Sequence, residues 1–135
     1  MRVVLDTNVV ISAFIKADSN PGRILRLVVE NKIQLCHNPA ILFEYEGVMG
    51  RSKFARHIDQ SKIKRFIGFL HTTGFSHTPV PSSVPLPDEP DRVFFDTAQE
   101  TSAWLVTGNI RHYPPRKFIK TPAQFLDLLA RGKMR

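Results

Sequence analysis

The sequence predicts an α/β protein, a single α/β/α sandwich built on a short central parallel sheet. Two observations carry this reading. The apolar runs Val3-Val4-Leu5 and 103–107 are continuous rather than alternating, which suits strands covered on both faces by helices. Between them lie segments with apolar residues at helical spacing, two of them opened by Asn-Pro or Thr-Pro, so strands and helices alternate. The chain has 135 residues, 42% of them apolar, which is enough for one core. No repeat or linker divides it, so residues 1–135 are expected to form one domain.

The elements follow in order. The first strand ends at Asp6, and Thr7 or Asn8 is positioned to cap a helix carrying Val9, Val10, Ala13 and Phe14 at helical spacing. A turn around Ser19-Asn20-Pro21-Gly22 precedes a second helix through Ile24, Leu25, Leu27, Val28 and Val29, and 33–36 reads as a second strand. Asn38 followed by Pro39 is a cap with proline at the first helical position, so 39–49 should be helical. A further helix is expected over 61–70. The proline-rich stretch 78–90 has little periodicity and reads as an extended connection. Pro90 then opens a helix to about Ser102, followed by the strand 103–107, broken by Gly108-Asn109. A short strand at Phe118-Ile119 leads to Thr121-Pro122, a second cap with proline, and a last helix through Leu129.

Composition narrows the class. Charged residues make up 23% and aromatic residues 10%, outside collagenous or disordered ranges, and the lone Cys36 excludes an internal disulfide. The apolar N-terminal stretch is interrupted by Asp6 and Asn8 and lacks a small-residue cleavage site, and no run is long enough to span a bilayer. A cytoplasmic protein with no membrane partner is therefore expected. Nineteen Lys and Arg against twelve Asp and Glu give a formal charge of +7, which favours polyanionic partners such as nucleic acid or an acidic protein.

Ligands of open parallel sheets bind beyond the carboxyl ends of the strands. Asp6 stands at one such end, and Thr107, Gly108 and Asn109 at another. In a helix starting at Pro90, Asp91 falls on the stripe formed by Phe94, Phe95, Ala98, Thr101 and Ser102, so its carboxylate points inward. Asp96 falls on the opposite face and reads as a solvated surface acid. Glu44 and Glu46 flank the apolar stripe of their helix on opposite sides, and periodicity does not choose between them. Simpler roles compete: Asp6 as a helix cap, Asp91 as a complement to a helix dipole.

Carboxylates brought together repel one another and raise their own pKa values unless a cation neutralises them. All-oxygen ligands suit Mg²⁺ or Mn²⁺. The histidines His37, His57, His71, His77 and His112 have no zinc-like spacing with one another or with Cys36. There is no nucleophile elbow, phosphate loop or dinucleotide fingerprint. Basic residues gather at Arg51, Lys53, Arg56, Lys62, Lys64 and Arg65, and again at Arg111, Arg116, Lys117 and Lys120. An acidic, cation-binding centre with a basic surround suits hydrolysis of a phosphodiester backbone. Phe54 and Tyr113 are candidates to stack bases, or equally to pack in the core.

These motifs resemble the PIN-domain family of metal-dependent ribonucleases, in particular the branch of toxins from type II toxin–antitoxin systems. Val-Val-Leu-Asp6-Thr7-Asn8 is similar to the family's first strand motif, and Ile41-Leu42-Phe43-Glu44-Tyr45 to the helix that contributes its glutamate. Asp91-Arg-Val-Phe-Phe-Asp-Thr-Ala98 resembles the third acidic motif, Leu105-Val106-Thr107-Gly108-Asn109 the fourth, and Thr121-Pro122-Ala-Gln-Phe125-Leu126 the last helix. The resemblance implies a PIN-like, Rossmann-like fold with Asp6, Glu44 and Asp91 as catalytic acids and ligands of Mg²⁺ or Mn²⁺. Glu46 becomes a border residue, and Asn8, Thr107 and Asn109 become auxiliary. Asn109 stands where family members often have a fourth Asp, and Asp88 is a candidate substitute. The basic residues Arg51, Lys53, Arg111, Arg116 and Lys117 would hold the nucleic acid. Implied too are an RNA substrate attacked in line by a metal-activated water, a homodimer and an inhibiting antitoxin protein.

Two rivals remain. A haloacid-dehalogenase-type phosphatase also begins strand-then-Asp, but needs a second Asp where this chain has Asn8. A catalytically weakened or inactive PIN-like RNA-binding module is favoured by the uncharged Asn109.

Overall fold

The computed structural model describes residues 1–132; the last three residues of the expected domain, 133–135, lie outside them. Five strands form one parallel sheet: β1 (Arg2–Leu5), β2 (Gln34–His37), β3 (Phe75–Ser76), β4 (Trp104–Val106) and β5 (Ile119–Lys120). Their order is β3-β2-β1-β4-β5, so β1 is central, paired to β2 through Val3 opposite Leu35 and to β4 through Leu5 opposite Val106. Val3, Val4, Leu5, Leu35, Leu105 and Val106 are all buried, which explains why their runs do not alternate.

The helices are α1 (Thr7–Ile15), α2 (Asn20–Val29), α3 (Pro39–Met49), α4 (Ser52–Ala55), α5 (Gln60–Thr73), α6 (Arg92–Thr101) and α7 (Pro122–Ala130). α6 packs on β1, β2 and β4, while α1 packs on α2 and α3, and α2 on α7. Capping sets most of the starts. The Asn38 side chain accepts from Ile41 N at 3.0 Å, and Thr121 with Gln124 forms a reciprocal capping box. The α/β expectation therefore holds, as does the expected helix over 39–49; the connection expected over 78–90 is extended as far as residue 88, its last two residues entering a 3-10 turn.

Several details differ from expectation. Asp6, not Thr7 or Asn8, caps α1, its carboxylate accepting from Thr7 N. The helix expected from Pro90 begins at Arg92, after a 3-10 turn over Glu89–Asp91. β3 and α4 were invisible in the pattern, being too short to show a period.

Asp96 is a correction. It is buried rather than solvated, its two oxygens accepting from Ser82 N at 2.9 Å and Ser82 Oγ at 2.6 Å. Arg92 Nη1 donates to Ser82 O at 2.7 Å beside it. The proline-rich connection folds back over α6 and covers a face that helical periodicity assigns to water. Among the described residues, no helix is long and apolar enough to cross a membrane.

Candidate functional site

Parallel pairing of β1 with β4 sets the site's floor. Leu5 lies opposite Val106, and Asp6 N donates to Val106 O at 2.9 Å, so Asp6 and Thr107 leave the sheet side by side. The chain end is further pinned by Tyr45, whose hydroxyl donates to Leu5 O at 2.5 Å. Asp6 is buried yet well partnered. Thr7 N donates to its Oδ1 at 2.8 Å, while Thr107 Oγ1 and Tyr113 OH donate to Oδ2 at 2.8 and 2.9 Å. Oδ2 thus has both lone pairs engaged, and Oδ1 keeps one free.

The auxiliary residues hold the loop after β4. Asn8 Oδ1 accepts from Gly108 N at 3.0 Å, and Thr107 Oγ1 accepts from Asn109 N at 3.0 Å. The Asn109 residue itself is exposed at this strand end. Of the two roles open to Tyr113, core packing holds and base stacking does not, because it is only 5% exposed and its hydroxyl is committed to Asp6. Burial first, and then the neighbouring Asp6 charge, raise its phenol far above the ordinary value, so it acts as a donor throughout the accessible pH range. Replacing it with Phe keeps the ring and removes one bond to a charged acceptor. Tyr113→Phe should lower stability by about 1–2 kcal/mol, read as a shifted urea midpoint at unchanged slope.

Glu44 reaches the same floor from α3. Its half-buried carboxylate accepts from Thr7 Oγ1 at 3.0 Å, so Thr7 ties Glu44 and Asp6 together through its hydroxyl and its N–H. Burial pushes the Glu44 carboxyl above the usual range; the Asp6 charge adds to this, while the Thr7 hydrogen bond and the Arg51 charge oppose it. Glu46 is exposed and lines a separate groove with Leu42, Phe43 and His71.

Asp91 is under the greatest electrostatic pressure. Burial, then the charges of Asp6 and Asp88, push its carboxyl up to about 6, with His112 opposing. Its Oδ2 is buried and has no hydrogen-bond partner, His112 Nδ1 lying 3.4 Å away. Asp88, Asp91 and His112 each offer a ligand atom, and these atoms all lie within 4.8 Å of one another. Asp6 and Glu44 stand outside that closest group, although both raise Asp91 electrostatically. Among the described residues, no Lys or Arg forms an ion pair with Asp6, Glu44, Asp88 or Asp91.

Do these residues fit a divalent cation? They do: an orphaned buried oxygen, neighbouring hard oxygen donors and mutual repulsion that no Lys or Arg among the described residues relieves all match what such an ion satisfies. Mg²⁺ keeps several waters and needs only one or two direct carboxylates, so acids standing further out can receive hydrogen bonds from those waters.

The expected nucleic-acid-binding cations are exposed. Arg51 is near enough to act on Glu44, and Lys53 stands 5.2 Å from the ring centroid of half-buried Phe54. Arg111 shares the 3-10 turn Ile110–His112 with His112, and Arg111, Arg116 and Lys117 line a groove of about 540 Å³. The sequence marks neither His112 as a neighbour of Asp91 nor Tyr113 as a hydrogen-bond donor to Asp6. Both sit in an irregular loop, where no periodicity marks a direction.

Comparison with known proteins agrees with this architecture. A family model described as PIN domain matches residues 2–111. An uncharacterized protein of Methanocaldococcus jannaschii is 31% identical over 140 residues, covering 94% of this chain and 90% of that protein. The crystal structure of VapBC2 from Rickettsia felis, bound to a DNA fragment from its promoter, aligns over 82% of this chain and 90% of its own. There the TM-score is 0.54 at 17% sequence identity, a likeness of fold. PIN domains are generally nucleases and generally use divalent metal ions. On the span of the domain match and the identity to its relative, the chain belongs to the PIN-domain family.

Proposed function

We propose that this protein is a metal-dependent endoribonuclease, a hydrolase of RNA phosphodiester bonds, and the toxin of a toxin–antitoxin pair. The observation that carries the reading is Asp91: an inward, orphaned carboxylate oxygen beside other acids, with no Lys or Arg among the described residues paired to any of them. Asp6, Glu44 and Asp91 are the catalytic acids and would hold Mg²⁺ or Mn²⁺. When bound, such an ion lowers the pKa of a water and stabilises charge on the phosphate and the departing oxygen.

The chain's own residues do the rest. Thr7, Thr107 and Tyr113 fix the Asp6 carboxylate, so it pays no reorganisation when charge develops nearby. Glu44, its pKa raised by burial, is suited to accept the proton of the attacking water. Asn8 and Thr107 keep the Gly108-Asn109 turn in place. Arg51, Lys53, Arg111, Arg116 and Lys117 draw the RNA backbone toward the acids, which makes binding weaken as salt rises.

The likeness to VapBC2 and the resemblance to type II toxins support an antitoxin partner, and the family pattern supports a homodimer. The net charge of +7 suits either RNA or an acidic inhibitor, in the cytoplasm. The alternative, an inactive RNA-binding module, draws on Asn109, an amide that brings no charge to the site.

Cleavage of single-stranded RNA in Mg²⁺ by purified wild type and Asp6→Asn separates the two. Loss of activity by about 10³-fold or more supports the nuclease. Equal rates, or no cleavage by wild type with salt-sensitive RNA binding retained, would sink it.

A further inference from the structure

His112 is not one of the three acids, yet its Nδ1 lies 3.4 Å from the orphaned oxygen of Asp91. Its position is built rather than accidental. His112 N donates to Asn109 O at 3.0 Å, closing the 3-10 turn, and the next residue, Tyr113, is anchored through its hydroxyl to Asp6. The imidazole is thereby held at the site's rim, its side chain 48% exposed, with Nδ1 3.4 Å from Asp91 Oδ2. Asp88 also offers a carboxylate oxygen within reach. It precedes the turn Glu89–Asp91, and Asp91 N donates to Asp88 O at 3.2 Å, which brings the two carboxylates onto one side of a single turn.

A cation with ligand bonds of about 2.1–2.3 Å spans donor atoms no more than about 4.6 Å apart. The atoms of Asp88, Asp91 and His112 fall within 4.8 Å of one another, so little movement closes them on one ion. Asp6 is less free to join directly, since three of its four lone pairs already accept hydrogen bonds.

Resting on the reading of this end as a cation site, we propose that Asp88, Asp91 and His112 are direct ligands, His112 through Nδ1, and that the nitrogen makes the site prefer Mn²⁺ to Mg²⁺. The chemistry is that of ligand type. Mg²⁺ takes oxygen almost exclusively, whereas first-row transition ions accept imidazole, so one nitrogen among oxygens shifts the ratio of affinities more than either affinity alone. Asp88 supplies the negative charge that Asn109 does not.

The experiment uses the full chain, stripped of metal and titrated with Mn²⁺ or Mg²⁺ by calorimetry, with pulsed electron paramagnetic resonance on the Mn²⁺ form. Wild type should show the ¹⁴N coupling of a ligating imidazole, and His112→Ala should lose it. The Mn²⁺ affinity of that variant should fall about tenfold or more while its Mg²⁺ affinity changes little, collapsing the ratio. Asp88→Asn is the second variant, expected to keep the ¹⁴N signal but bind both ions more weakly. Mn²⁺ binding to wild type without ¹⁴N coupling, or an unchanged ratio in His112→Ala, overturns this ligand assignment and leaves the carboxylate nuclease standing. Failure of wild type to bind either ion removes both.

Discussion

Replacing Asp91 with Asn is expected to make the metal-free protein more stable at pH 7 while abolishing RNA cleavage. The sign follows from proton binding. Asp91 has its carboxyl raised from 3.8 to about 6 in the folded protein, so between these values the native state holds a proton that the unfolded chain releases. The contribution of Asp91 to stability is therefore most favourable below the ordinary carboxyl range, declines as pH rises toward 6, and is least favourable once Asp91 is ionised in both states. At pH 7 the penalty is roughly 2–3 kcal/mol if the whole shift counts, and on the order of 1–2 kcal/mol after relaxation. Asn has the same shape and no charge to desolvate. In chelator, Asp91→Asn should melt several degrees above wild type at pH 7 and with no such gain at pH 4. Added Mn²⁺ should reverse the order, stabilising wild type and leaving the variant unmoved, because an ion that binds only the native state raises its stability by mass action. A gain independent of pH, or a variant still stabilised by Mn²⁺, contradicts this account of Asp91.

Asp6→Ala should have the opposite effect on stability. Asp6 caps α1 and is the acceptor for Thr107 Oγ1 and Tyr113 OH, both on buried residues. Its removal deletes a cap, worth about 0.5–2 kcal/mol, and strands two buried hydroxyls at about 1–3 kcal/mol each. Allowing for relaxation, a loss on the order of 3–5 kcal/mol is expected, together with loss of cleavage. Urea titration of the two variants in chelator tests the contrast. One acid is part of the scaffold, and the other is held against its own electrostatic preference. Two variants destabilised alike would show that Asp91 is not strained.

Much of this was legible before the structure. Uninterrupted apolar runs announced β1 and β4, and Asn38-Pro39 and Thr121-Pro122 announced α3 and α7, because capping is a local interaction between near neighbours. Asp6 and Thr107 were readable because the ends of parallel strands converge wherever the strands pair. Asp91 was marked by a stripe of Phe94, Phe95 and Ala98, although it lies in a 3-10 turn just before α6. That Glu44 rather than Glu46 meets Thr7 is not readable from the wheel, since Thr7 belongs to another element. Asp96 was misjudged for a related reason: its partner Ser82 comes from an irregular segment that carries no period. His112 and Tyr113 were hidden likewise, in a loop whose direction is set by hydrogen bonds to Asn109 and Asp6.

The most direct test is an anomalous difference map from crystals soaked in Mn²⁺. A single strong peak within coordination distance of Asp91, with Asp6 and Glu44 facing it, is the predicted result. An Asp91 carboxylate with no peak beside it, or one bridged instead by a lysine or arginine, would contradict the claim that these acids assemble to hold a cation.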